Sequence, residues 1–300
     1  MKAQFDQEVL SSFYLWFENK LIDIKSQAYQ TDLSNAFTSG DFPDIPPSHI
    51  AFQGKFRQLV GEYQVVNSDG DPAPNSGFFI GDAFITGNSD VNGGVFTDYD
   101  NGRLIFPQAS GAEIASNPLT ANSTVKEVNT YITNDADAQT ILHSDFKDSA
   151  TEQPYQYGKT SEYDEKTYFL PACFISLASS DNTEFSFGGE EDTRTNVRVM
   201  VLSFDNYILD SILSLFRDTV REDITHIPYE DFPYGFAFSI KNFPYTYNGL
   251  VGDQSSPMKS HIKNVNASKI VSEKIRENLN TNICIGFLDF EMCSYRFPRA

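Results

Sequence analysis

The sequence predicts an α+β protein: a mixed or antiparallel sheet packed by helices, with an inserted all-β subdomain. Three observations predict it. Residues 6–30 place Leu10, Phe13, Phe17, Leu21, Ile24 and Ala28 at helical spacing. Residues 50–115 alternate short apolar runs with turn clusters such as NSDGDPAPNSG. In RVMVLSFDNYILDSILSLFRD (198–218) the apolar period changes from two to that of a helix.

Taken in order, the first helix carries Trp16 beside its stripe and is followed by DFPDIPPSH (41–49), an extended proline linker. In the β block, Asn101-Gly102 signals a type I′ hairpin, and Arg103 leads Leu104, Ile105 and Phe106 into the return strand. KEVNTYIT reads as a strand and NDADAQTILHSDF as a short capped helix. The polar stretch 147–166 is long for a connection, as functional or interface loops are. TYFLPACFISL (167–177) is a strand broken or kinked at Pro171. Residues 179–195 read as a long turn.

Val197, Val199 and Val201 then share one strand face, and Arg198, Met200 and Leu202 the other. Asp205 or Asn206 caps the helix that follows, whose stripe is Ile208, Ile212 and Leu215 beside Leu209, Leu213 and Phe216. Further on, FAFSIKNFPYTYNGL reads as a strand, 253–266 as a loop, ASKIVSEKIRENLN as a helix and NICIGFLDFEMCSYRF as a final strand. The expected organisation is 1–49 as helix and linker, 50–115 as the β subdomain and 116–300 as the α+β core.

With 26 Phe and 15 Tyr, the chain has ample material for a core. Its 41 acidic residues face only 22 basic ones, a net charge of −19. Duplex binding by counterion release needs clustered Lys and Arg, which are absent, and the same charge disfavours an anionic membrane. Cys173, Cys284 and Cys293 are too scattered for a disulfide framework or a zinc knuckle. The start, MKAQFDQEV, lacks a signal-peptide apolar region, and no apolar run approaches a membrane span. The expectation is a reducing cytoplasm.

Catalytic patterns are missing. His49, His143, His226 and His261 have no metal-ligand spacing and read as surface or loop residues. No G-x-S-x-G, Walker or G-x-G-x-x-G motif occurs, and acids follow the glycines of FGGEED, which would repel phosphate. Asn67–Asp71 resembles a calcium loop, but Gly70 comes early and Phe78 holds position twelve. Paired acids such as Asp98 with Asp100 and Glu190 with Glu191 raise a glycosidase reading, yet the single Trp lies on the first helix. The expectation is no enzyme, no cofactor and no metal.

Assembly is the alternative. IPYEDFPYG and NFPYTYNGL supply aromatic residues of the kind interfaces favour. Phe232, Tyr234 and Tyr245 are the candidate apolar contacts, and Arg103 is a hairpin-stabilising or inter-subunit salt-bridge partner. Arg217 and Arg221 suit the end of a helix.

The succession FYLWFENKL, QAY, FRQLV, DYDNGRLIF, NTYIT, LPACFISL, EFSFGGEEDT and RVMVLSFDNYILDSILSLFRD resembles virion structural proteins of contractile-tailed bacteriophages. The resemblance implies a neck or head–tail joining protein with a core like that of tail-terminator rings. It further implies a closed ring, hexamer or dodecamer, around the DNA path, beside portal, neck or tail tube and sheath proteins. DNA would pass without specific binding, in a virion assembled in the bacterial cytoplasm. The runner-up is a peripheral receptor- or glycan-binding decoration built on residues 50–115. A host enzyme using Asp98 or Asp100 is the third reading.

Overall fold

A computed structural model describes residues 4–23, 25–40, 42, 45–54, 58–66, 77–80, 83–86, 96–107, 119–133, 145–148, 154–155, 167–186, 188–233, 245–252, 258–270 and 283–297. The protein is mostly β, with curled antiparallel and mixed sheets and few helices, which corrects the helix-packed α+β expectation. Much of what read as helix, loop or turn is strand. The chain divides into two compact units, 1–21 with 128–229 and 251–300, and 22–127 with 230–250.

In the second of these units, seven strands form a sheet in the order β4-β3-β7-β1-β2-β6-β5. They are β1 (Tyr29–Gly40), β2 (His49–Gln53), β3 (Gly77–Ile80), β4 (Ala83–Thr86), β5 (Phe96–Asp98), β6 (Arg103–Pro107) and β7 (Leu119–Lys126). The first helix therefore ends early, at Ile22, and β1 begins where the helical pattern was read to continue. Phe37, Phe52, Leu104, Phe106, Leu119 and Ala121 form its core.

The β5–β6 loop closes over Tyr99–Gly102, four residues rather than the two of a type I′ turn. Gly102 takes φ 63, which glycine tolerates without a Cβ penalty. Asn101 instead turns its side chain and its N–H to Asp98 Oδ1, at 3.2 and 3.1 Å.

The other unit holds a six-stranded sheet in the order β14-β15-β16-β13-β12-β8. Its strands are β8 (Asn129–Ile132), β12 (Ala172–Glu184), β13 (Glu191–Ser203), β14 (Asp223–Thr225), β15 (Lys259–Lys269) and β16 (Cys284–Arg296). A three-stranded sheet joins β9 (Asp145–Asp148), β10 (Pro154–Tyr155) and β11 (Thr167–Leu170). Pro171 has no N–H to give a ladder, and the chain changes sheets there, from β11 to β12. The stretch read as a long turn at 179–195 is the distal end of the β12–β13 hairpin, turned at 185–190. The stretch read as loop and then helix around 259–269 is β15; 271–280, the rest of that helix, lies outside the described residues, as does most of 134–146.

Two helices, α1 (Phe5–Ile22) and α2 (Asn206–Arg217), belong to this unit's core. Asp205 is the cap of α2: its backbone is extended and its carboxylate accepts from Tyr207 N at 2.9 Å. Leu209, Ile212, Leu213 and Phe216 are its buried stripe. Phe17 stacks on Phe216 at 3.8 Å between ring centroids, and Phe13 meets Phe290 edge-on at 4.9 Å. α1 is buried on all sides from Ser11 to Glu18, beyond the single stripe its spacing suggested. Its polar groups there are satisfied: Ser12 Oγ accepts from Ile227 N at 2.9 Å, and Glu18 accepts from Thr130 Oγ1.

On the opposite face of β13, Met200 and Leu202 join Leu170, Ala172, Phe174, Ile283 and Ile285 in a second cluster. Both faces of the Val197–Leu202 segment are thus apolar and buried, except at Arg198, which pairs with Asp289 at 2.6 Å.

Candidate functional site

The six-stranded sheet has two incomplete margins. On one side, β8 pairs only with Ala172–Ile175 of β12. From Ala178 to Glu184, β12 has β13 on one side and no described strand on the other, and every residue is exposed. The strand is nevertheless held in its ladder from within. Asn196 Nδ2 donates to Ser179 Oγ at 2.9 Å, Thr193 Oγ1 to Asn182 Oδ1 at 2.7 Å, and Thr183 Oγ1 to Asp192 O at 3.2 Å.

On the other side, β14 pairs with Lys259–His261 of β15. Ile262 is next caught by the chain before β14: Arg221 N donates to its carbonyl at 2.9 Å, and its own N donates to Glu222 O at 3.0 Å. From Lys263 to Lys269, β15 has β16 on one side and no described strand on the other. Lys263, Asn264, Asn266, Ser268 and Lys269 are exposed there. A surface groove of about 430 Å3 runs beside this stretch, between β15 and α2, lined by Tyr207, Asp210, Leu213, Arg217, Ala267 and Lys269.

A strand margin of this kind presents unpaired N–H and C=O groups, a template for another strand. Proteins blunt such margins with cover, Pro, bulges or charged side chains. Neither 178–184 nor 263–269 contains Pro, while each carries charges and begins at a register shift.

The residues singled out from sequence fall elsewhere. Arg103 is buried and intrachain: its Nη2 and Nε lie 2.8 and 3.0 Å from Asp98 Oδ2, and its guanidinium sits 5.1 Å from the Phe42 ring centre. That is the hairpin-stabilising role. Phe232 is 2% exposed and Tyr245 6%, so neither lies on the surface of the chain. Tyr245 is bound through its backbone, its N donating to Gly61 O at 3.2 Å and its carbonyl accepting from Tyr63 N at 2.8 Å. Tyr234 lies outside the described residues. The aromatic loops marked as sticky thus bury the two of these residues that are described.

The acids raised as catalytic are engaged in structure: Asp98 with Arg103 and Asn101, and Asp100 with Gln58 Nε2 at 3.1 Å. Glu62 is buried and accepts from Tyr247 N at 2.6 Å and Gln64 N at 3.1 Å, and burial raises its pKa. His226 is not the surface residue its isolation suggested. It is buried, with Nε2 2.6 Å from Ser260 Oγ, which lies 2.7 Å from Ser294 Oγ. Burial and the nearby Arg296 lower its pKa to about 4. Arg296 itself lies 3.9 Å from the Phe5 ring centre and donates to Thr193 Oγ1 at 2.6 Å. Among the described residues, no group of three or more His, Cys, Asp or Glu is placed to hold a metal ion, and no helix is long and apolar enough to cross a membrane.

No protein-family model matches the chain, and no curated protein matches it. A functional reading therefore rests on its own residues and on the two open margins of the sheet. Sequence reasoning missed both margins. Thr193, Thr195 and Val197 in alternation, and Ser260 with Ile262 two residues on, were the signals that would have marked the strands.

Proposed function

We propose that this chain is a structural, non-catalytic subunit that works as repeated copies closed into a ring. Within that class we read it as a neck, or head–tail joining, protein of a tailed-phage virion, a hexamer or dodecamer beside portal or tail proteins. The observation that carries the reading is that, among the described residues, the six-stranded sheet has no further strand along 178–184 of β12 or 263–269 of β15. Two different open margins on one sheet favour a heterologous contact, and repeated heterologous contacts close into rings when the rotation allows. The net charge of −19 suits a wall past which DNA slides without adhering. The virion assignment is supported by the order of sequence segments described above.

Mass photometry and negative-stain microscopy of the purified chain test the ring: one discrete closed species is expected. Mass spectrometry of purified particles whose genome encodes the chain tests the virion assignment, with several copies per particle expected. Monomers at fibre tips, with glycan binding by residues 50–115, would replace this reading with the peripheral one.

A further inference from the structure

We infer that the open margin of β12 is completed by the open margin of β15 from a second copy of this chain, head to tail and antiparallel. The inference rests on the assembly reading above and adds which surfaces meet.

Charge is sorted between the two margins. Residues 178–184, ASSDNTE, carry Asp181 and Glu184 and no cation. β15, KSHIKNVNASK, carries Lys259, Lys263 and Lys269 and no acid. In a chain with 41 acidic and 22 basic residues, an acid-free strand with three lysines departs from its surroundings. Lys263 touches Asp192 at 3.4 Å and Lys269 touches Asp210, yet the two lysine side chains remain 32% and 35% exposed. They remain accessible to a further carboxylate. Joining like margins would set acids beside acids or lysines beside lysines, which costs free energy across an interface.

Direction agrees as well. β12 is antiparallel to β13, β13 to β16, and β16 to β15. After three reversals β12 and β15 run oppositely, so a neighbour that continues the sheet presents its β15 antiparallel to β12.

The margins are also staggered. β8 blocks the Ala172–Ile175 end of β12, and β14 blocks the Lys259–His261 end of β15. Through β13 and β16, the open part of β12 is level with Glu191–Val197, and that of β15 with Asn196–Val201. Each added copy is therefore offset along the strands, and the assembly closes where strand tilt takes up that offset.

The test uses the full chain and two charge-reversed variants, Asp181→Lys/Glu184→Lys and Lys263→Glu/Lys269→Glu, with circular dichroism to check folding. Each variant alone is expected to dissociate at about ten- to a hundredfold higher concentration than the wild type in sedimentation. Mixed together, the two are expected to re-associate, because each supplies the charge the other lacks. If one variant dissociates and the other stays assembled, or if mixing restores nothing, the two margins do not meet. The inference is then overturned while the assembly reading stands. A wild-type chain monomeric up to about 100 µM removes the assembly reading itself. Should a reversed variant fail to fold, Ser180→Cys mixed in turn with single Cys variants at 264–268 gives a second measurement that does not depend on register. Mild oxidation is expected to yield a covalent dimer with at least one of them, and its absence with all of them while the wild type assembles overturns the inference.

Discussion

Arg103 and Asp98 face each other across the closed end of one hairpin, as the last ladder pair of β5 and β6, with the guanidinium 2.8 Å from the carboxylate. Arg103 is the more buried partner, with 7% of its side chain exposed against 19% for Asp98. Removing the arginine leaves a carboxylate in a partly dry site with only Asn101 beside it. Arg103→Met leaves the carboxylate unpaired and Asp98→Asn leaves the more buried guanidinium unpaired, so each is expected to cost about 3 kcal/mol. Urea denaturation of the two variants checks this. Losses of only about 0.5 kcal/mol, as at an exposed pair, would mean that the ion pair is not what holds the hairpin.

His226 makes stability depend on pH. Its folded pKa, about 4, lies below the ordinary 6.5, so the unfolded chain binds the extra proton first. The stability it contributes is complete above pH 6.5 and is lost as pH falls from there to 4, about 3 kcal/mol in all. His226→Asn keeps a hydrogen-bonding group near Ser260 and removes the titration. Thermal melts across pH 4–7 are expected to be flatter for the variant than for the wild type.

Glu62 acts in the opposite sense. Burial raises its folded pKa above that of the unfolded chain, so the stability it contributes is present at acid pH and declines as pH rises through the raised value. Glu62→Gln retains an acceptor for Tyr247 N and is expected to remove that decline, while the loss at low pH from His226 persists. Denaturation midpoints for the Gln variant between pH 4 and 8 check it.

Gly286 lets α2 lie close to the sheet. A Cβ there would stand 2.9 Å from Leu209 Cδ1 and 3.0 Å from Leu213 Cδ1. Gly286→Ala is expected to cost about 1–3 kcal/mol by overpacking. Combined with Leu213→Ala, which opens space at that point, the two losses are expected to be less than additive in a double-mutant cycle.

Assembly is expected to pass through a maximum with salt. Repulsion between copies of charge −19 acts over long range and is screened by about 0.1 M salt, where the Debye length is about 10 Å. Contacts between Asp181 or Glu184 and the β15 lysines act at short range and weaken toward 1 M, where that length is about 3 Å. Sedimentation from about 0.01 to 1 M salt checks this. A steady rise in association with salt would show that apolar contact, and not the charged margins, joins the copies.

What the sequence determined by itself is what depends on near neighbours. The alternation of Val197, Val199 and Val201, the Asp205 cap and the Leu209–Phe216 stripe are local, since a helix bonds each residue to one four positions away and a cap reaches two or three. The excess of acids is legible at once. Tertiary structure decided the rest. Lys259–Lys269 looked like loop and helix because its strand character comes from β16, and Ile262 sits beside a register shift that breaks the alternation. Ser179–Glu184 looked like a turn because its polar residues have no apolar face; the ladder to β13 and bonds such as Thr193 to Asn182 make it a strand. Phe232, Tyr245 and His226 gave no sign of their burial, which depends on segments far away in the chain. Whether a strand lies inside a sheet or at its open margin depends on which distant segment pairs with it, and no local spacing records that choice.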